Sequence, residues 1–118
     1  MIEDIQLPDR GGHKVVQLYV ENRPLLRIGG IMSKHAIILE DVLQELGLSY
    51  QNTTIRDVDV PALEGEKYRV VGMGVCIRTG DHVRYFGESL DYGIEIDAEH
   101  LQQCQGLVSP DIKLVKRR

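Results

Sequence analysis

Apolar and polar positions alternate over 68–79 and recur at helical period over 34–46, and shorter apolar runs punctuated by turn residues make up most of the rest. Residues 14–20, Lys14-Val15-Val16-Gln17-Leu18-Tyr19-Val20, are β-branched and aromatic enough to read as a strand. Asn22-Arg23-Pro24 reads as a turn, and residues 25–28 as a short second strand stopped by Gly29-Gly30. From 34 to 46 the apolar residues Ile38, Leu39, Val42, Leu43 and Leu46 recur at helical spacing, while Glu40, Asp41, Gln44 and Glu45 fall on the other face. Ser33 is available as the N-cap, and Gly47 stands where a helix usually stops. Thr53-Thr54-Ile55 and Val58-Asp59-Val60 suggest short strands, followed by a loop marked by Pro61 and Gly65. Residues 68–79 alternate, with Val71, Met73, Val75 and Ile77 on one face and Val70, Gly72, Gly74, Cys76 and Arg78 on the other. Two glycines on one strand face permit close approach of a ligand or another backbone. Gly80-Asp81 is a hairpin turn into a strand at 82–86, and 87–93 reads as a tight polar connection. Asp97 caps a short helix over 98–105, ended by Gly106, and 112–115 is a last strand.

The order β-β-α-β-β-β-α-β predicts an α+β protein: one domain, with a mixed sheet of about six strands and two helices packed on it. Residues 1–12 read as a loose lead-in and 13–118 as the domain. The 118 residues fit one such unit, and 42% hydrophobic with 27% charged residues is ordinary for a globular chain. The longest apolar run, Ala36-Ile37-Ile38-Leu39, falls far short of the ~20 residues that span a bilayer. Eighteen acids against fourteen bases give a net charge of −4, which argues against a duplex-binding protein. The one dense basic cluster, 113–118, reads as a solvated chain end. Two cysteines are too few for a disulfide framework and lack metal spacing with the four histidines. The opening residues carry neither a basic nor an apolar leader segment, so a reduced, cytoplasmic protein is expected, with no membrane partner.

Familiar catalytic motifs are missing. There is no phosphate-binding P-loop, no H-E-x-x-H and no C-x-x-C. Cys76 has no nearby base and reads as structural. His35 opens the strongest helix, where unpaired N–H groups and the positive end of the helix dipole favour an anion. Periodicity alone favours the plainer reading, a core histidine leading the stripe Leu39, Val42 and Leu46. Gly87-Glu88-Ser89-Leu90-Asp91-Tyr92-Gly93 is either an anion nest with Ser89 as an added donor or a plain surface turn. Lys14 and Arg27 give no signal alone.

Taken in order, these residues form one pattern. Lys14-Val15-Val16, Arg27 eight positions before His35, His35-Ala36-Ile37-Ile38, and Phe86-Gly87-Glu88-Ser89-Leu90-Asp91-Tyr92-Gly93 together resemble the Janus/Ocnus family, which includes the eukaryotic protein histidine phosphatase. The resemblance covers roughly residues 13 to 116, with 48–67 inserted or diverged. The chain departs from that family's animal enzyme in three places. Lys34 stands where an aromatic residue commonly precedes the histidine. Gly72-Met73-Gly74 lacks the arginine of a Gly-Gly-Gly-Arg segment. Asp97 stands near the position of a later histidine.

The resemblance implies hydrolysis of a phosphoramidate, the P–N bond of phosphohistidine or phospholysine, with a phosphohistidine-containing protein or a small phosphoramidate as the partner. By the same resemblance His35 is the general base, or the carrier of a covalent phosphoryl group. The phosphate would be held by the N–H groups of Ala36, Ser89, Leu90 and Asp91 and by the charge of Lys14, with Arg27 orienting the site. No metal or other cofactor is implied. Two further readings stand beside it: a non-catalytic phosphate- or phosphoprotein-binding module, and a structural domain with no ligand.

Overall fold

The computed structural model describes residues 4–117. Its elements are β1 (Gly11–Val20), β2 (Arg23–Gly30), α1 (His35–Glu45), β3 (Asn52–Ile55), β4 (Val58–Pro61), β5 (Tyr68–Thr79), β6 (His82–Phe86), β7 (Glu88–Ser89), β8 (Ile94–Glu95), α2 (Ala98–Gln105) and β9 (Lys113–Lys116). The central sheet runs β2-β1-β5-β6-β9, antiparallel except for the parallel pair β6–β9, so the architecture is α+β with a mixed sheet.

That sheet has five strands, not about six. The short strands read at 53–55 and 58–60 form as β3 and β4, but they pair with each other as a separate hairpin outside the central sheet. Its two-residue turn holds Arg56 and Asp57 at positive φ, the twist that tight hairpins require. A second small pair, β7–β8, lies within and beyond the segment read as a plain connection.

The helices cover opposite faces. Val16, Leu18, Val20 and Leu25 of the sheet pack with Ile38, Leu39, Val42 and Leu43 of α1. Val15, Leu26, Cys76, Val83 and Tyr85 pack with Leu101 and Cys104 of α2. The alternation read for 68–79 breaks once. Gln17 pairs with Gly72 but Leu18 with Val70, so Val71 is a β-bulge. The extra residue flips the pleat, which puts Val70 and Met73 into the same core.

Several boundaries differ from expectation. β2 starts at Arg23 and takes in Gly29 and Gly30 before it ends, and the helix is capped by Lys34, without a side-chain bond, rather than by Ser33. The lead-in is not loose over its described part. The N–H of Gln6 donates to Leu26 O and that of Leu26 to Asp4 O (2.8 Å each), while Ile5 and Leu7 pack on the α2-side core. The lead-in also gives up Gly11 and Gly12 to β1. Residues 113–116 of the basic tail form β9 instead of a free end.

Candidate functional site

Gly29 sets the approach of α1. A Cβ there would meet Ile38 side-chain atoms at 2.7 Å, so the first helical turn seats directly on β2. The N–H groups of Ile37 and Ile38 already bond to Lys34 O, at 3.1 and 3.3 Å, which leaves those of His35 and Ala36 leading the helix. The His35 ring reaches over β5, and its Nε2 lies 2.8 Å from the carbonyl oxygen of Gly74. A carbonyl only accepts, so Nε2 carries the proton and Nδ1 keeps a lone pair in the neutral ring. Nδ1 takes no hydrogen bond among the described residues and is not sealed from solvent. Burial pushes the His35 pKa down from 6.5; the Gly74 carbonyl pulls it up, Lys14 lowers it further, and Asp91 raises it. The net direction is down, so the ring is neutral at neutral pH.

Lys14 projects on the same face of β1 as Val16 and Leu18. It pairs with Gly29 on one side and with Val75, the neighbour of Gly74, on the other. This register puts its ammonium within electrostatic range of His35.

The turn after β7 completes the group. A Cβ at Gly74 would lie 2.5 Å from Phe86 O, so only glycine lets the chain entering β7 pass this close to His35's acceptor. Gly87 then turns the chain at φ +79°. Ser89 is buried. Its Oγ accepts from Tyr92 N at 3.2 Å, and its carbonyl accepts from Gly93 N at 2.8 Å. Those bonds occupy the N–H groups of Tyr92 and Gly93. The N–H groups of Leu90 and Asp91, in the bend between, meet no acceptor among the described residues. The Ser89 hydroxyl, as acceptor there, still has its proton to donate. Asp91 lies in electrostatic range of His35.

His35, Ala36, Lys14 and the turn holding Ser89, Leu90 and Asp91 are therefore neighbours, from three segments far apart in sequence. Arg27 is not brought to His35. It is buried beneath the β2 flank of α1, where its Nη1 donates to Asp4 O at 3.2 Å. It lines a groove of about 640 Å³ with Ser33, Ile37, Ile38 and Asp41. Asp97 is the α2 N-cap, accepting from His100 N at 2.8 Å. Cys76 is buried on the opposite face, where desolvation pushes its thiol up to about 12, unsuited to nucleophilic attack at neutral pH.

Three participants had no separate sequence signal. The Gly74 carbonyl is backbone, hinted at only by the glycine pair. Arg56, on the β3–β4 turn, stands 3.4 Å from Asp91, and the bond from Tyr92 Oη to Pro61 O at 2.8 Å ties the hairpin to the turn. On the other face, the fully buried Gln17 donates to Asp97 O (3.0 Å) and accepts from Asp97 N (2.7 Å). Its amide nitrogen also lies 3.2 Å from His100 Nδ1. A Cβ at Gly72 would lie 2.0 Å from Gln17 Oε1, so this glycine admits a side chain, not a ligand.

Among the described residues no group of three or more His, Cys, Asp or Glu is placed to hold a metal ion. No helix among them is long and apolar enough to cross a membrane. Neither the known protein-family models nor the curated proteins contain a match to this chain.

Proposed function

We propose that this protein is a phosphoramidate hydrolase of the Janus/Ocnus type, acting on phosphohistidine or phospholysine in the cytoplasm, with His35 as general base. The observation that carries the reading is the bond from His35 Nε2 to Gly74 O. It makes Nδ1 the basic nitrogen of a ring that opens α1 and lies in electrostatic range of Lys14 and Asp91, which supports the reading. Phosphoryl transfer needs little from a protein beyond positioning and charge stabilisation, and this group has the parts for both.

In this reading the phosphate oxygens sit against the N–H groups of Ala36, Leu90 and Asp91, with the Ser89 residue supporting the turn and Lys14 supplying positive charge. Nδ1 takes a proton from water as the water oxygen bonds to phosphorus. The P–N bond breaks, and the proton is returned to the departing nitrogen. In the alternative route Nδ1 itself bonds to phosphorus as the substrate P–N bond breaks and the departing nitrogen takes a proton from solvent; water then cleaves the phospho-His35. Arg27 supports the seat of α1 and stays off the phosphate.

The test is phosphate release from phosphohistidine and phospholysine substrates without added metal. His35→Ala is expected to lower turnover roughly 100-fold or more with the fold intact by circular dichroism. Unchanged turnover in the variant would remove His35 from the chemistry. Phosphate binding without release in the wild type would replace the enzyme with a phosphate-binding module.

A further inference from the structure

We propose that Arg56 is a further substrate-binding residue, its guanidinium passing from Asp91 to the oxygens of the bound phosphoryl group. This rests on the phosphate-binding reading of the site. Arg56 lies at the tip of the β3–β4 hairpin, the segment with no counterpart in the resemblance, and its Nη1 stands 3.4 Å from Asp91 Oδ1. Both side chains are largely exposed, at 75% and 51%, so the pair is weak and easily exchanged.

The base of the hairpin is anchored and its tip is exposed. Pro61 is buried and accepts from Tyr92 Oη at 2.8 Å, and Tyr50 and Leu63, flanking the hairpin, pack on the α1-side core. The guanidinium is thereby held at the turn whose Leu90 and Asp91 N–H groups are open. A phosphoryl group seated there comes within reach of the same Nη1 and offers several anionic oxygens in place of one carboxylate. A guanidinium matches such oxygens two at a time.

The charges closest to His35 favour such a cation. His35 is neutral, and Lys14 and Asp91 cancel. Without Arg56 a phosphoryl dianion would meet one ammonium and one carboxylate there, in a protein of net charge −4. With Arg56 released from Asp91 to the phosphate, the cations outnumber the one carboxylate.

The test is titration of inorganic phosphate into wild type, Arg56→Ala, Arg56→Lys and Asp91→Asn, followed by NMR, with KM and kcat on a phosphoramidate measured in parallel. Arg56→Ala is expected to weaken phosphate about tenfold and raise KM by a similar factor with little change in kcat, and Arg56→Lys to recover part of the loss. Asp91→Asn keeps the backbone N–H and frees the guanidinium, so it is expected to bind phosphate more tightly than wild type. Wild-type phosphate affinity in Arg56→Ala overturns the proposal and leaves the site's function standing. Equal weakening in Arg56→Ala and Asp91→Asn also overturns it, because Arg56 would then only brace the turn. If phosphate perturbs no site resonance in the wild type, the phosphate-binding reading fails and this proposal falls with it.

Discussion

An imidazole that donates from Nε2 to a carbonyl is in the wrong state once Nδ1 is also protonated, because a cation then has to be held in a half-sealed site beside an ammonium. Burial and Lys14 both lower the His35 pKa from 6.5, outweighing the Gly74 carbonyl and Asp91. The base form therefore persists below pH 6.5, and the acid limb of kcat/KM is expected below that value. Lys14→Met removes a charge that lowers the pKa, so it should move the acid limb upward while raising KM for phosphorylated substrate. An acid limb that does not move in Lys14→Met would separate Lys14 from His35. His35 itself was visible in the chain as the residue opening the strongest helix. Its tautomer was not, because the partner is a backbone oxygen 39 positions away.

Within single elements, glycine chemistry tells position from mere flexibility. At Gly74 an added Cβ meets Phe86 O at 2.5 Å and Ile96 side-chain atoms at 2.8 Å, and the backbone oxygen has nowhere to go. Gly74→Ala is expected to cost about 1–3 kcal/mol in chemical denaturation, in line with overpacked cores. It should also depress turnover, because displacing β5 moves the carbonyl that orients His35. Wild-type stability and turnover would show that the strand yields freely. Asp97→Ala gives the contrasting case: loss of the α2 cap should cost about 1 kcal/mol with turnover unchanged, since Asp97 lies on the far face of the sheet. Both helices and the long β5–β6 hairpin were legible nearly to the residue, because period, caps and the Gly80-Asp81 turn are local signals. The bulge at Val71 was not, since a strand's facing after an inserted residue depends on the register with β1.

Across the whole molecule the sheet separates two cores that respond differently to acid. Beneath α2, His100 is fully buried, with Nε2 3.0 Å from Leu18 O and Nδ1 facing Gln17 and Cys104. Its pKa is lowered from 6.5, first by burial, against opposing pulls from the Leu18 and Leu25 carbonyls and Asp97, with Arg69 adding to the decrease. The unfolded chain thus takes up a proton that the folded one refuses. Stability is insensitive to His100 at higher pH and falls as pH drops through about 6.5, by up to about 1.4 kcal/mol per unit until the folded pKa is reached. Denaturant midpoints between pH 7.5 and 5 should show this decline, and His100→Gln should flatten part of it. An equal slope in the variant would place the acid sensitivity elsewhere, with His35 the next group of the same sign.

Local pattern was enough for the α+β class and for most element boundaries, because periodicity and turn chemistry act over a few neighbouring positions; for Lys14, His35 and 87–93 it favoured plain structural readings, and only the resemblance grouped them. Long-range pairing settled the rest. It made the sheet five strands and turned 48–60 into a separate hairpin. It drew Arg27 under the β2 flank of α1 and Arg56 to Asp91. It also placed Gly74's oxygen under His35. Those outcomes depend on which segments share a register across the sheet, and no short window of sequence carries that information.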